Sequence, residues 1–458
     1  LFATGTLQKW FGGPPLPQQK HLVVLPFKNI SGDSSSQAFC DGLVEMLTSK
    51  LSQLRSAGED LWVVEASEIR QRKIAGVSDA FRTFGVTLAV TGSIQRGDNR
   101  AHVTLNLVDA KTSLLIDSKI IGDRSETLAN LMDEAIAMVA EMVEIQLRPE
   151  QQRSLAAGNT SDSKAYDLYL QGRGYLSRYE KRENLAASIT LFEKAIERDS
   201  SYALAYAGLG EAYWRWYEAS KEPAWVENAV NNCMQALQLD DRLAPVHITL
   251  ALIRRGTGQY EEAIRDLQRA LELDPFSSDA YRELGRAYEA SGDLNKAEET
   301  YTKAIDLKPS YWAGPYNLGL YYYRRGRYED AASQFRRVLN IAPMNTGALR
   351  NIGSMYWYIN RWSDAIEWFQ RSLDLEPHYQ TYSNLATSYF YKGQYYQAAK
   401  MYQKALDMSR NDYRVWGYLA DSQYWIPERV KATVNYRQAI RMAEEQRKIN
   451  PRDPELLS

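Results

Sequence analysis

The sequence predicts an α/β N-terminal domain, a mixed sheet with helices, followed by an all-α solenoid of helical repeats. Two observations support this prediction. All 31 tyrosines of the 458-residue chain lie at or after Tyr166, so two parts of different composition meet near residue 160. Apolar and polar residues alternate at strand spacing in the first part, whereas a motif of about 34 residues recurs in the second.

The composition excludes several classes of protein. Apolar residues make up 45% of the chain, too many for a disordered polypeptide. The formal net charge is −2, so we predict no nucleic-acid partner, which would require a basic surplus. Cys40 and Cys233 are too few for a disulfide framework. No run of 18 apolar residues occurs, so we expect no membrane contact by this part of the protein itself.

Residues 21–150 are predicted to form the α/β domain. Short apolar or alternating runs bounded by turn residues indicate strands at residues 22–27, 61–64, 86–95, 101–109 and 114–121. Apolar residues at three- and four-residue steps indicate helices at residues 39–54, 80–84 and 125–147. The turns between the last three strands contain Gly97-Asp98-Asn99 and Lys111-Thr112-Ser113, which suit hairpins.

Several short motifs of this domain resemble a known family. They are Val24-Leu25-Pro26-Phe27, Asn29-Ile30-Ser31-Gly32-Asp33, Asp41-Gly42-Leu43 and Thr91-Gly92-Ser93-Ile94. With residues 105–112, they resemble the TolB amino-terminal-like domain over residues 20–147. Leu115-Ile116-Asp117 stand where many members have a tryptophan. The resemblance implies that helical repeats follow, and that the parent protein is a bacterial membrane-anchored Ser/Thr kinase, nucleotide cyclase or transcription regulator.

The α/β domain offers little material for catalysis. Asp33 and Asp41, eight residues apart, are candidates for a carboxylate pair. The competing interpretation is that Asp33 closes a turn and Asp41 lies in the first turn of a helix. No phosphate-binding loop, dinucleotide fingerprint or H-E-x-x-H motif occurs. We therefore predict no enzyme activity for this chain, no catalytic or metal-binding residues and no cofactor.

The second part contains a repeated pair of a large aliphatic residue and Gly or Ala. The central small residues Gly285, Gly319, Gly353 and Ala386 are spaced by 34, 34 and 33 residues. An alanine stands twelve residues after each of these small residues, and a large residue stands four positions after each alanine. Small residues allow paired helices to approach closely, and large ones fill the adjacent space. The unit resembles the tetratricopeptide repeat, and we count eight repeats over residues 165–447.

The remaining segments are predicted to be linkers or fragments. Residues 1–20, with Trp10-Phe11 before Gly12-Gly13-Pro14-Pro15, are expected to be a linker that follows a membrane helix; the alternative is a frayed terminus. Residues 151–164 form a second linker. Residues 448–458 are the expected start of a truncated further repeat, whose exposed edge could pair in a homo-oligomer.

The repeats predict a concave groove that binds a protein or peptide ligand. Residues three before, one after and four after each small residue share one face of the first helix. Aromatic and arginine side chains dominate there, and these are frequent anchors of protein interfaces. The predicted groove residues are Arg255, Arg282, Arg286, Tyr316, Tyr323, Arg350, Trp357, Phe390 and Tyr424. The alternative is that the four aromatic residues that stand four positions after the small residue stack on one another along the solenoid. They are Tyr323, Trp357, Phe390 and Tyr424.

Three functional hypotheses follow. The first is a non-catalytic scaffold that forms the sensory or partner-binding region of a bacterial membrane signalling protein, on the extracytoplasmic side of the inner membrane in the cell envelope. Its arginine-bearing groove favours a partner segment with apolar and acidic residues. The alternative is a soluble cytoplasmic tetratricopeptide assembly factor. The third, a hydrolase that uses Asp41, has the least support from the residues.

Overall fold

The structure is a computed structural model that describes residues 16–54, 61–96, 101–122, 128–146, 158 and 160–449. Several predictions fall outside these ranges, including most of both predicted linkers, the 97–99 turn, the start of the helix expected from residue 125 and the fragment after residue 449. The chain divides into two compact units, Leu1–Gly314 and Pro315–Ser458.

A mixed sheet forms the N-terminal part, as the sequence predicts, but the described residues give it six strands where five were expected, because the short β2 was not predicted. The strands are β1 (Lys20–Val24), β2 (Lys28–Asn29), β3 (Leu61–Val63), β4 (Leu88–Arg96), β5 (Ala101–Asp109) and β6 (Leu115–Ile121). Their order is β3-β1-β4-β5-β6, with β2 paired to β4. β1 is parallel to β3 and β4, whereas β4, β5 and β6 are antiparallel. Val103, Leu105 and Leu107 of β5 are completely buried, because alternate residues of the strand face the core.

Among the described residues, four helices accompany the sheet. They are α1 (Ser34–Ser52), α2 (Ala66–Gln71), α3 (Val77–Phe84) and α4 (Leu128–Met142). The carboxylate of Asp33 accepts a hydrogen bond from the backbone amide of Ser36 at 2.8 Å and caps the N-terminus of α1. Hydrogen bonds from the Ser36 side chain and from its backbone amide hold the pKa of this carboxyl far below its usual value. The expectation for Asp41 was wrong, since this residue lies in the interior of α1 and not in its first turn.

The rest of the first unit is a run of paired helices. They are α5 (Ser163–Leu176), α6 (Arg182–Arg198), α7 (Ala203–Ser220), α8 (Ala224–Leu239), α9 (Ala244–Gly256), α10 (Tyr260–Leu273), α11 (Ser278–Ser291) and α12 (Leu294–Leu307). Large side chains of the second helix of a pair fill the space beside small residues of the first, as predicted. Tyr301, for example, lies against Gly285, where an added Cβ would meet its ring carbon at 2.5 Å.

The second unit continues with four more helix pairs. The helices are α13 (Ala313–Arg324), α14 (Tyr328–Ile341), α15 (Thr346–Tyr358), α16 (Trp362–Leu375), α17 (Tyr379–Tyr391), α18 (Tyr395–Met408), α19 (Tyr413–Tyr424) and α20 (Arg429–Ile449). Phe335 and Phe369 are fully buried beside Gly319 and Gly353. In the described part of the chain, the repeated motif therefore gives eight helix pairs.

The α/β part and the first repeats share one hydrophobic core. Helix α1 crosses α5 so closely that a Cβ on Gly174 would lie 1.7 Å from the Ala38 carbonyl oxygen, and one on Gly42 would lie 1.9 Å from that of Leu170. Only glycine allows two helix backbones to approach this closely. The buried cluster runs without interruption from the sheet to Phe192 and Tyr202. The predicted boundaries of the α/β domain and its linker remain predictions, but the packing of the two parts is continuous.

Candidate protein-binding surface

Within each unit, the first helices of successive repeats contact one another and form a common surface. Contacts of this kind join α5 with α7, α7 with α9 and α9 with α11 in the first unit, and α15 with α17 and α17 with α19 in the second. We call it the first-helix surface. The predicted groove residues lie on these first helices. Stacked helix pairs use such surfaces to bind partners.

In the first unit, the α/β domain itself packs on the first-helix surface. Arg96 of β4 forms an ion pair with Asp167 of α5 at 2.7 Å, and Asp41 of α1 forms one with Arg178 at 2.9 Å. The Tyr169 hydroxyl of α5 lies 3.4 Å from the Met46 sulfur. Tyr169 is buried in this contact. This end of the surface is therefore covered by the same chain.

A second contact joins the α/β domain to the fourth repeat. It involves Glu65, which precedes α2. The Glu65 carboxyl lies 3.6 Å from the Arg282 guanidinium, which also pairs with Asp279. Burial raises the pKa of Glu65 well above its usual value, and the nearby Asp279 carboxylate raises it further. Burial also raises the pKa of Asp279, but Arg282 outweighs this effect, so the net pKa of Asp279 is lowered. Arg282, a predicted groove residue, thus contacts the α/β domain.

All three predicted arginines of the first unit converge on one carboxylate. The side chain of Glu283 is 4% exposed. It accepts hydrogen bonds from the guanidinium groups of Arg282 and Arg286 at 3.1 Å each and from that of Arg255 at 3.2 Å. Because a buried carboxylate needs such partners, the three arginines have a structural role that the sequence did not reveal. Arg286 remains 42% exposed.

Aromatic contacts complete this junction at the end of the first unit. Trp62 of β3 packs against Tyr311 with ring centroids 4.9 Å apart. Phe84 of α3 stacks on Trp312 at 5.6 Å, and the Arg72 guanidinium lies 4.8 Å from the same indole. Tyr311 and Trp312 are both buried. The α/β domain therefore contacts the repeats at α5, at α11 and at the turn before α13.

The second unit has a connected series of ten aromatic rings, which we call the aromatic series. Each ring contacts at least one other with centroids 4.8–6.3 Å apart. The rings lie at the ends of first helices and the starts of second helices. They belong to Tyr323, Tyr328, Trp357, Tyr358, Trp362, Phe390, Tyr391, Tyr395, Tyr424 and Trp425.

The aromatic series has a regular register. The first residue of each second helix stacks on a residue near the end of the next repeat's first helix. These stacks pair Tyr328 with Tyr358, Trp362 with Tyr391, and Tyr395 with Trp425, with interplanar angles of 7°, 15° and 19°. Stacking between repeats therefore occurs, but not as the alternative in the sequence analysis had it: Tyr323, Trp357, Phe390 and Tyr424 contact other rings of the series and not one another.

The predicted groove residues of the second unit differ in their surroundings. Tyr323, Trp357, Phe390 and Tyr424 belong to the aromatic series, and the Tyr323 and Tyr358 hydroxyls are 3.0 Å apart. Tyr316 lies apart from the series: its ring meets Phe335 edge-on, and its hydroxyl accepts a hydrogen bond from Asn351. Arg350 lies near His378, whose pKa is lowered by burial and by this guanidinium. A ligand-binding role for these residues stays a prediction.

The sequence did not reveal six of the ten rings of the aromatic series. The rings absent from the predicted groove residues are Tyr328, Tyr358, Trp362, Tyr391, Tyr395 and Trp425. They stand five or nine residues after the small residue of their repeats, and this aromatic pattern recurs through three consecutive repeats. Comparing position nine of one repeat with position five of the next would have found them.

The described residues give little support to metal binding, membrane spanning or catalysis. No group of three or more His, Cys, Asp or Glu side chains there is placed to hold a metal ion. Within the same ranges, no helix is both long and apolar enough to cross a bilayer. Burial raises the pKa of the Cys40 thiol to about 12 and also raises that of Cys233, which makes both poor nucleophiles. Asp33 and Asp41 are engaged in the helix cap and the ion pair described above.

Comparison with known proteins identifies the repeats. Tetratricopeptide repeat family models match residues 248–311, 316–379 and 380–411. The matched segments coincide with α9 to α18, so these helices are tetratricopeptide repeats, as predicted. Repeats of this type indicate a protein-binding scaffold.

One curated relative is named "Putative adenylate cyclase 3" of Rhizobium meliloti (strain 1021). It is 25% identical over 246 residues, which cover 52% of this chain and 41% of the relative. The chain thus spans about two fifths of the length of that relative.

Among solved structures, a tetratricopeptide repeat protein from Parabacteroides merdae is similar over 56% of this chain and 99% of its own, with 16% identity and a TM-score of 0.40. pilF of Pseudomonas aeruginosa is similar over 47% of this chain and 96% of its own, with 21% identity and a TM-score of 0.38.

Proposed function

We propose that this chain is the partner-binding region of a bacterial membrane signalling protein, and that it holds an extended protein segment on the first-helix surface of residues 315–424. The observation that carries the proposal is the difference between the two units. The first-helix surface of the first unit is covered at both ends by the α/β domain. The second unit carries the aromatic series, several of whose rings are exposed to solvent.

The exposure of these rings supports a binding role. Tyr391 is 59% exposed, Trp425 61% and Tyr424 50%. Large aromatic side chains provide much contact area for little conformational entropy, and they are enriched among the residues that dominate binding free energies. Rings already fixed by stacking lose even less entropy when a ligand binds.

The charges beside the series indicate the chemistry of the partner. Arg325 and Lys392 lie exposed in the turns between first and second helices, and Arg350 lies on the first-helix surface. An apolar segment with interspersed acidic residues would pair both with the rings and with these cations. This is the partner class that the sequence alone favoured.

The signalling context rests on two resemblances. The N-terminal motifs resemble TolB amino-terminal-like domains, and a relative of part of the chain is named as an adenylate cyclase. The gene upstream of Leu1 tests this part of the proposal. A segment of about 20 apolar residues after a kinase, cyclase or DNA-binding domain supports it. An open reading frame that starts directly before Leu1 contradicts it.

Selection of peptides from a displayed random library on the immobilised chain tests the binding site. We expect enriched peptides to combine apolar and acidic residues. Replacing Tyr323, Trp357 and Phe390 together by alanine is expected to weaken their binding at least tenfold, because interface anchors each contribute about 1 kcal/mol or more.

The matched control replaces three exposed residues of second helices, Leu375, Tyr396 and Met408, by alanine. These side chains are 40%, 69% and 50% exposed and lie outside the aromatic series. Thermal unfolding of both triple variants verifies that they are folded. Equal affinity of the two variants for the selected peptides would contradict the proposed site.

A further inference from the structure

Each of the three stacks in the aromatic series presents one ring to solvent. The ring at the start of the second helix is half-buried, whereas its partner near the end of the next first helix is exposed. The exposed partners are Tyr358 (41%), Tyr391 (59%) and Trp425 (61%). The second unit therefore offers three aromatic faces in the same register of three consecutive repeats.

A ring set edge-on lies between neighbouring stacks and limits their spacing. The centroid of Trp357 lies 5.2 Å from that of Tyr358 and 6.2 Å from that of Tyr391, at interplanar angles of 88° and 72°. The centroid of Phe390 lies 6.0 Å from that of Tyr391 and 5.2 Å from that of Tyr395, at angles of 89° and 68°. Neighbouring stacks are therefore at most about 11 Å apart, in agreement with the separation of about 8–10 Å between packed helices.

The spacing of the stacks matches one backbone conformation of an extended ligand. In a polyproline II helix every third residue lies on the same side, about 9.3 Å from the previous one. Same-side residues of a β-strand recur at about 6.6 Å, and those of an α-helix recur at each turn of about 5.4 Å. Of the three conformations, the polyproline II helix is the one whose successive same-side residues meet one stack after another.

The polar groups beside the rings suit the same ligand. A polyproline II backbone makes no internal hydrogen bonds, so its carbonyl groups need donors. The hydroxyls of Tyr323 and Tyr358 are 3.0 Å apart. Since one of them donates to the other, the second keeps its hydrogen for a ligand carbonyl. Arg325 and Lys392 lie exposed in the turns next to the rings and favour acidic residues between the prolines.

We propose that the ligand of the aromatic series is a proline-rich segment in the polyproline II conformation, with proline at every third position and acidic residues between the prolines. Successive prolines pack on the exposed rings of Tyr358, Tyr391 and Trp425. Aromatic-lined surfaces recognise such segments because the ligand is already ordered before it binds and loses little entropy. This inference rests on the proposed function, since it names the ligand class of the same site.

Three synthetic peptides of equal length and charge test the ligand conformation by isothermal titration calorimetry on the full chain. The first repeats Pro-Ala-Glu four times, so that one side carries a proline at every third position. The second has the same composition with the prolines moved out of this period, and the third has leucine in place of every proline. We expect the first peptide to bind at least about tenfold more tightly than the other two, because it alone places prolines on several stacks at once.

Alanine in place of Tyr358, Tyr391 and Trp425 together locates the binding. This variant is expected to bind the first peptide at least about tenfold more weakly than the wild type, whereas the Leu375, Tyr396 and Met408 control variant keeps the affinity. Because the three peptides are compared on the wild type, their ranking does not depend on whether the alanine variant folds.

A first peptide that binds no better than either counterpart overturns the inference, and so does one that binds the folded alanine variant as tightly as the wild type. Either result leaves the proposed site intact if library-selected peptides still depend on Tyr323, Trp357 and Phe390. Loss of that dependence contradicts the proposed function itself, so the two failures are distinguishable.

Discussion

At the residue scale, single glycines set the packing of the repeats. A Cβ on Gly353 would lie 2.7 Å from the Phe369 ring, whereas one on Gly417 would meet nothing within 4 Å. Both glycines lie inside helices. The same substitution should therefore have opposite effects at the two positions.

We expect Gly353→Ala to lower the free energy of unfolding by about 1–3 kcal/mol, because the ring of a fully buried phenylalanine must move. Gly417→Ala is expected to raise it by about 0.5–1 kcal/mol through helix propensity. Urea denaturation followed by circular dichroism measures both. Destabilisation of equal size at the two positions would contradict the packing described here.

Glu65 gives the contact between the α/β domain and the fourth repeat a pH dependence. Its folded-state pKa lies well above 4.5, its ordinary value. The folded state therefore binds the proton more tightly than the unfolded state. This contribution to stability is complete below pH 4.5 and is lost as the pH rises through the folded-state pKa.

Glu65→Gln should remove this dependence, since the amide stays neutral while it retains a hydrogen-bond donor for Asp279. We expect the variant to have a higher melting temperature than the wild type at neutral pH, and the difference to shrink toward pH 4.5. Glu141→Gln, at a side chain that is 69% exposed, is the control. A Glu65→Gln variant that melts below the wild type at neutral pH would contradict the assigned direction.

At the element scale, the aromatic stacks join one repeat to the next. Trp362 of α16 stacks on Tyr391 of α17 at 5.0 Å and also contacts Trp357. We expect Trp362→Ala to lower the free energy of unfolding by about 1–3 kcal/mol, because about 0.5–1.5 kcal/mol is lost per ring pair. Tyr396→Ala, at an exposed ring outside the series, should change it by less than about 0.5 kcal/mol. Equal effects in chemical denaturation would mean that the stacks add no stability.

The sequence was most informative about elements. Gly285, Gly319 and Gly353 predicted the helix pairs correctly, because a 34-residue period needs only local comparison of the chain with itself. The alternation of Val103, Leu105 and Leu107 likewise predicted β5 and its buried face. Helix α2 was missed because six residues are too few to establish a helical period.

At the scale of the whole molecule, the contacts that define the candidate site were the least predictable. Arg282 was expected to face a ligand, but it contacts Glu65, more than 200 residues away in sequence. No periodicity links positions that far apart. The sequence places the three arginines around Glu283 on one face of the first helices. Their spacing does not show that they all donate hydrogen bonds to one buried carboxylate. The TolB resemblance, the domain boundaries and the groove residues stay predictions.

The central claim is that a protein ligand binds the first-helix surface of residues 315–424, whereas the α/β domain covers that of the first repeats. Photo-crosslinking measures this most directly: a library-selected peptide that carries a photoreactive group is irradiated on the full chain, and the adduct is located by mass spectrometry. We predict adducts at Tyr323, Trp357 or Phe390. Adducts concentrated on α5 to α11, between Ser163 and Ser291, would contradict the claim.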